Sequence, residues 1–175
     1  MKKILIVIDM QNDFVSGVLG TAEAQAIVPK VDNLIETGEF DEVYYTFDTH
    51  YDPEYFSTLE GKKLPAAHCI NGTSGWNLAI KNGPIDGNHS IIKNRFGYPY
   101  WDGQFDDLCI TDEDTITIVG LCTDICVVSN ALILKAEFPN TPIICDASCC
   151  AGTTPEAHKA ALTVMKSCQI DIIND

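Results

Sequence analysis

Thr115-Ile116-Thr117-Ile118-Val119-Gly120-Leu121-Cys122-Thr123-Asp124-Ile125-Cys126-Val127 joins a β-branched apolar run to a helical pattern through a turn marked by glycine. Thr115–Val119 reads as a buried strand, because branched side chains pack well on a pleated surface. Gly120 ends it, and a helix follows from Thr123 or Asp124 to Ala136, closed by Phe138-Pro139. The same alternation continues on both sides of this junction. Lys3–Ile8 is nearly all aliphatic, as expected of a strand covered on both faces. Ala24–Ile35 carries Ile27, Val31, Leu34 and Ile35 at helical spacing and ends near Gly38. Glu42–Phe47, Ser90–Lys93, Pro142–Cys145 and Ile170–Ile173 read as further strands, with a helix over Pro155–Ser167. Strands alternating with helices predict an α/β fold with a mainly parallel sheet. Residues 1–175 hold no repeat, low-complexity tract or linker, so one domain is expected.

Bulk properties narrow the partners. A net charge of −14 lacks the basic footprint that nucleic acid or an anionic membrane requires, so neither is expected as a partner. The apolar run before Asp9 is too short for a secretory core, and no stretch approaches the ~20 apolar residues that span a bilayer. Several of the eight cysteines, among them Cys122, Cys126, Cys145 and Cys168, sit in apolar runs. Without an export signal this composition points to free thiols in a reducing cytoplasm.

In open α/β sheets, ligands bind beyond the carboxyl ends of the strands. Asp9, Asp48, Lys93 and the Thr123–Cys126 turn all fall at such ends. Cys126 in the first turn of a helix would feel the positive end of the macrodipole, which lowers a thiol's pKa, and free N–H groups nearby could stabilise an oxyanion. The competing reading is a small buried hydrophobe. Asp9 closes a fully apolar strand, a costly place for a carboxylate unless it is paired; it could serve as acid and base, or cap the loop. Lys93 could stabilise Asp9 and a thiolate, or lie on the surface. Asp48, His50 and His68 offer a carboxylate and two imidazoles from the long segment Asp48–Gly87, a suitable set for Zn, Mn or Fe. The aromatic stretch Phe96-Gly97-Tyr98-Pro99-Tyr100-Trp101 could wall a pocket or form a core or subunit contact. His89 and His158 have no partner visible in the sequence and read as surface residues.

Taken in order, Ile8-Asp9-Met10-Gln11-Asn12-Asp13-Phe14, Thr46-Phe47-Asp48-Thr49-His50, His68-Cys69-Ile70-Asn71-Gly72-Thr73, Lys93 and Gly120 through Val127 resemble the isochorismatase-like cysteine hydrolases, specifically their nicotinamidase branch. The resemblance implies a three-layer α/β/α fold on a six-stranded sheet. It implies a catalytic triad of Asp9, Lys93 and Cys126, and one divalent metal, zinc first, on Asp48, His50 and His68. It places a cis peptide at Leu121–Cys122, an oxyanion hole on the Cys122 and Cys126 amides, and Phe14 against the substrate ring. The implied reaction cleaves a small amide, nicotinamide to nicotinate and ammonia, through a thioester. Other small-amide or carbamoyl hydrolysis, vinyl-ether hydrolysis and a non-catalytic scaffold are the alternatives, and a homo-oligomer is expected.

Two positions depart from the branch. Its Trp-Pro ahead of the metal-binding His is Leu64-Pro65-Ala66-Ala67 here, leaving Trp76 or Phe96 to supply the aromatic face. Its fourth ligand position falls on Tyr55, with Glu54 or Glu60 able to compensate.

Overall fold

Once past Lys3, every side chain of strand β1 (Lys3–Ile8) is buried, as its aliphatic run demands. In the computed structural model, which describes residues 1–175, the chain continues through α1 (Asn12–Val15), α2 (Ala22–Thr37), β2 (Glu42–Asp48) and α3 (Leu59–Lys63). It then runs through β3 (Ser90–Lys93), α4 (Trp101–Gln104), β4 (Thr115–Leu121), α5 (Val128–Glu137), β5 (Ile143–Ala151), α6 (Pro155–Ser167) and β6 (Asp171–Ile173). All five strand pairings are parallel, giving one six-stranded sheet in the order β3-β2-β1-β4-β5-β6 with flanking helices. The expected α/β/α architecture is therefore observed, with a sheet that is wholly rather than mainly parallel. No helix is long and apolar enough to cross a membrane.

Strand order reverses between β1 and β4. From β1 the chain moves outward to β2 and β3, then returns to lay β4 on the other side of β1. Such a switch point opens a crevice between two neighbouring strand ends, because their connections leave in opposite directions. Asp9 follows β1 and Cys126 follows β4, so topology alone sets them on opposite lips of one crevice.

Two elements differ from expectation. β5 runs on to Ala151, well past Cys145. Asp146 and Ser148 interrupt its apolar pattern, and a register irregularity between Ile118 and Gly120 lets Gly120 pair with Cys150. The expected single helix after β4 is divided: Thr123–Val127 is a π-helical turn, and regular α-helix begins only at Val128. Such turns occur mostly as single units at functional positions.

Gly120 is the backbone hinge of this junction. Its φ is +117°, and a Cβ there would collide with the Ile8 carbonyl on the neighbouring strand. Only glycine lets β4 pass that close to β1 while it turns toward Cys126. Gly120→Ala should therefore destabilise the fold by more than about 2 kcal/mol, read as a lowered midpoint in urea unfolding.

Candidate active site

Asp9 lies just beyond β1 at φ +45°, a left-handed conformation that turns its carboxylate into the crevice. Thr46 on β2 fixes it there: the Asp9 N–H donates to Thr46 Oγ1 at 3.1 Å, and that hydroxyl donates to Asp9 Oδ1 at 2.7 Å. Lys93, the last residue of β3, reaches across β2. Its Nζ donates to Asp9 Oδ2 at 2.6 Å, lies 3.7 Å from Cys126 Sγ and stands 3.9 Å from Asp48 Oδ1. Asp9, Lys93 and Cys126 are all at least 95 % buried. The three expected triad members thus meet at one point, and the alternatives of a capping Asp9 and a surface Lys93 are excluded.

Charge in so dry a place is governed first by desolvation. Burial raises the Asp9 carboxyl, with the Lys93 ammonium pulling the other way. Burial opposes the Lys93 charge, yet Asp9, Cys126 and Asp48 together hold it protonated, above its ordinary value. The Cys126 thiol is pushed well up by burial and then by the Asp9 carboxylate, against the pull of Lys93. That corrects the expectation of a thiol acidified by its helix. Cys126 is the fourth residue of a π-helical turn rather than the start of a regular helix, and burial there raises its thiol.

The neighbouring cluster suits a metal. Donor atoms of Asp48, His50, Glu60 and His68 all lie within 4.8 Å of one another. Asp48 Oδ2 is 3.0 Å from His50 Nε2 and 3.4 Å from His68 Nε2, while Glu60 Oε1 stands 3.8 and 3.7 Å from the same nitrogens. Ligands ~2.1 Å from a tetrahedral zinc are spaced roughly 3.4 Å apart, so the residues present fit. His68 Nδ1 bonds the Ala66 carbonyl at 2.9 Å, which aims Nε2 at the cluster. Asp9 and Asp48 share a single ammonium, Lys93, and the half-buried Glu60 has only the two imidazoles within ion-pairing distance. The surplus of two negative charges is what a divalent cation offsets.

Glu60, from α3, joins the three expected ligands, while Glu54 stays outside in an exposed 3₁₀ turn. Tyr55 packs edge-on against both imidazoles, 4.9 Å from His50 and 5.3 Å from His68, and its hydroxyl donates to the Leu64 carbonyl. Trp76 does not face the pocket: it stacks on Phe47 and donates to Thr49 Oγ1. Phe14 and Phe96 do line the cavity, a space of about 740 Å³ that also touches Asp48, His68, Cys122 and Cys126. The Leu121–Cys122 peptide is cis, as the resemblance implies.

Two positioning residues escaped the sequence reading. Gln11 is fully buried and ties three segments together: its amide donates to the Asp48 and Trp76 carbonyls and accepts from the Asp48 N–H. Asn130, on α5, donates to the Cys126 and Phe96 carbonyls and accepts from the Tyr98 N–H and the Trp101 indole. A polar residue at an inward helical position was the available signal. The two histidines read as surface residues are half-buried and partnered. His158 Nδ1 bonds Thr123 Oγ1 at 2.8 Å, at the start of the turn that carries Cys126, and His89 bridges Asp86 and Glu42.

Comparison with known proteins gives the chain its family and its fold. Residues 3–174 match the isochorismatase domain family. A nicotinamidase/pyrazinamidase of Mycobacterium tuberculosis is 28 % identical, with 97 % of each chain covered. The crystal structure of the nicotinamidase/pyrazinamidase PncA from Bacillus subtilis superposes with a TM-score of 0.79 at 27 % identity, covering 98 % of this chain and 99 % of that one. A pyrazinamidase of Pyrococcus horikoshii, solved in complex with zinc, shares the fold at a TM-score of 0.77 and 23 % identity, with both chains fully covered. By sequence over nearly its whole length and by the fold that carries its crevice, this chain belongs to the isochorismatase family, and its similarity runs to the nicotinamidases within it.

Proposed function

We propose that this protein is a cysteine-dependent amidohydrolase that cleaves the C–N bond of a small amide. The observation that carries the reading is Lys93 Nζ standing between Asp9 Oδ2 and Cys126 Sγ, with Cys126 the member of the three that lines the cavity. Nicotinamide, giving nicotinate and ammonia, is the reference substrate that the relatives' names bring to it. The reading takes residues 1–175 as one hydrolase domain. It also places the protein in the cytoplasm, where eight free thiols stay reduced, and makes it a homo-oligomer.

Asp9 takes the Cys126 proton, which moves one negative charge from carboxylate to sulfur, and the thiolate attacks the amide carbon and passes that charge to the carbonyl oxygen. Lys93 lies beside both Asp9 and Cys126, so the ammonium is paired before and after the proton transfer and no bare charge is created behind the cavity wall. The carbonyl oxygen, now anionic, rests on the Cys122 and Cys126 amides. Asp9 returns the proton to the departing nitrogen, releasing ammonia and leaving a thioester. Water deprotonated by Asp9 then attacks the thioester, and Asp9 returns that proton to Sγ as it leaves, freeing the acid and restoring the thiol. Because the resting thiol is held protonated by burial, its activation belongs to the moment of attack. Asp48, His50, Glu60 and His68 would hold a divalent cation, zinc by donor chemistry with Mn or Fe also suited, which when bound supplies a Lewis-acid anchor for a polar substrate atom.

Cys126→Ala should lower ammonia release from a panel of nicotinamide, pyrazinamide and N-carbamoyl compounds by at least roughly 10⁴-fold while folding and metal content stay unchanged. Retained turnover would refute the nucleophile assignment. Asp48→Asn should instead lower bound metal, read by elemental analysis of the purified protein. Lys93→Met strands a buried carboxylate and should cost about 3–5 kcal/mol of stability along with activity. Adding Asp9→Asn should recover most of the stability and none of the turnover, a split readable from paired unfolding and ammonia assays.

A further inference from the structure

Beyond the reacting centre, the cavity sorts its charges by depth. Its lining includes four ionisable side chains with a formal charge at neutral pH: Asp48, Glu60, Lys63 and Arg95. The two acids belong to the metal cluster. Both of the others are exposed cations at the rim, in a chain with 25 acidic residues against 11 basic ones. Arg95 is the only arginine in the protein, two residues beyond Lys93 at the end of β3. Lys63 is the last residue of α3, the helix that brings Glu60 to the metal cluster.

Neither rim cation is used by the protein itself. No carboxylate lies within ion-pairing distance of Lys63 or Arg95. The guanidinium makes a single side-chain contact, a 3.3 Å bond from Nε to the Oδ1 of its neighbour Asn94. Four of its N–H groups remain for a ligand. The sixteen-residue α2 also opens on this cavity through its N-cap Thr21 and through Ala24, so its positive end adds to the same field. The space is also generous. About 740 Å³ lies well within the ~300–1,000 Å³ of pockets for drug-sized ligands, more than a single carboxamide ring fills.

We infer that the preferred substrate is a small amide carrying a carboxylate away from the scissile C–N bond, with Arg95 and Lys63 binding that carboxylate at the rim while the amide reaches Cys126. Arg95 supplies the planar fork that a carboxylate matches, and Lys63 a second positive charge. The two are specificity-determining residues rather than catalytic ones. The strongly negative whole protein repels anions at long range, so selection of an anionic substrate has to be made by cations at the pocket itself. This inference rests on reading the cavity as an amidase site, and it narrows the substrate class from small amides in general to anionic ones.

The test compares the half-amides of malonate, succinate and glutarate, each against its uncharged diamide, using metal-loaded protein. Dissociation constants come from calorimetry and turnover from ammonia release. For at least one chain length the half-amide should bind about tenfold more tightly than the diamide, as a charge-assisted hydrogen bond predicts. The preference should shrink with added salt, because the rim is open to water. Arg95→Gln with Lys63→Gln should erase it, raising KM for the half-amide and leaving kcat and the diamide constants within about twofold. Equal binding of both members at every length, no measurable half-amide binding, or a double variant that weakens both members alike would overturn the inference. Tight half-amide binding that depends on Arg95 and Lys63 but releases no ammonia would uphold the rim and sink the amidase reading, so the two failures are distinguishable.

Discussion

A buried ammonium organises this molecule's chemistry. Lys93 is the one cation among three carboxylates and a thiol, and it touches both halves of the site: Asp9 and Cys126 on one side, Asp48 of the metal cluster on the other. Removing such an ion from water is expensive, and the cost is offset only if partners with good geometry surround it. The fold satisfies that condition by stacking the ends of β1, β2 and β3 so that Asp9, Asp48 and Lys93 arrive at one level. Parallel pairing makes this possible, because it places all carboxyl ends on the same edge. In an antiparallel sheet the same three residues would be dispersed to opposite edges.

Much of this was legible from sequence, for identifiable reasons. The aliphatic runs of β1 and β4 leave little choice of conformation, and the polar residues that end them mark the edge where ligands bind. Asp9, Lys93 and Cys126 could therefore be grouped by topology before any distance was known. Glu60 was only one of two candidates, because the choice depends on α3 folding back over the cluster while Glu54 sits in a 3₁₀ turn facing outward. Trp76 was misplaced for a similar reason: nothing in its neighbourhood signals that it would stack on Phe47 instead of entering the cavity. The far half of β5 was hidden by Asp146 and Ser148, whose polarity breaks the pattern that marks a covered strand. His158 was missed because its partner, Thr123, is thirty-five residues away.

The thiol shows how two sound principles can oppose each other. A helix start lowers a cysteine's pKa by stabilising the thiolate, while burial raises it by denying the thiolate water. Here burial prevails, since Cys126 is almost wholly covered and Asp9 adds a second negative charge. The resting site is consequently a reservoir of a neutral thiol beside an ion pair.

Asn130 has a consequence for how this enzyme can change over time. Its side chain grips the backbone of the Thr123–Cys126 turn with one bond and the Phe96–Trp101 stretch with three others. Cys126 and the wall that begins beside Arg95 are therefore a single mechanical body. The exposed side chains of that wall, Phe96 and Tyr100, can be exchanged, because the backbone is held at Phe96 and Tyr98, whereas the buried Trp101 indole is itself one of the bonds. Its length cannot change without moving Cys126 as well. Substrate preference in such a scaffold can drift by point substitution while the spacing between Lys93 and Asn130 stays locked, like a lathe whose cutters are replaceable but whose bed is one casting.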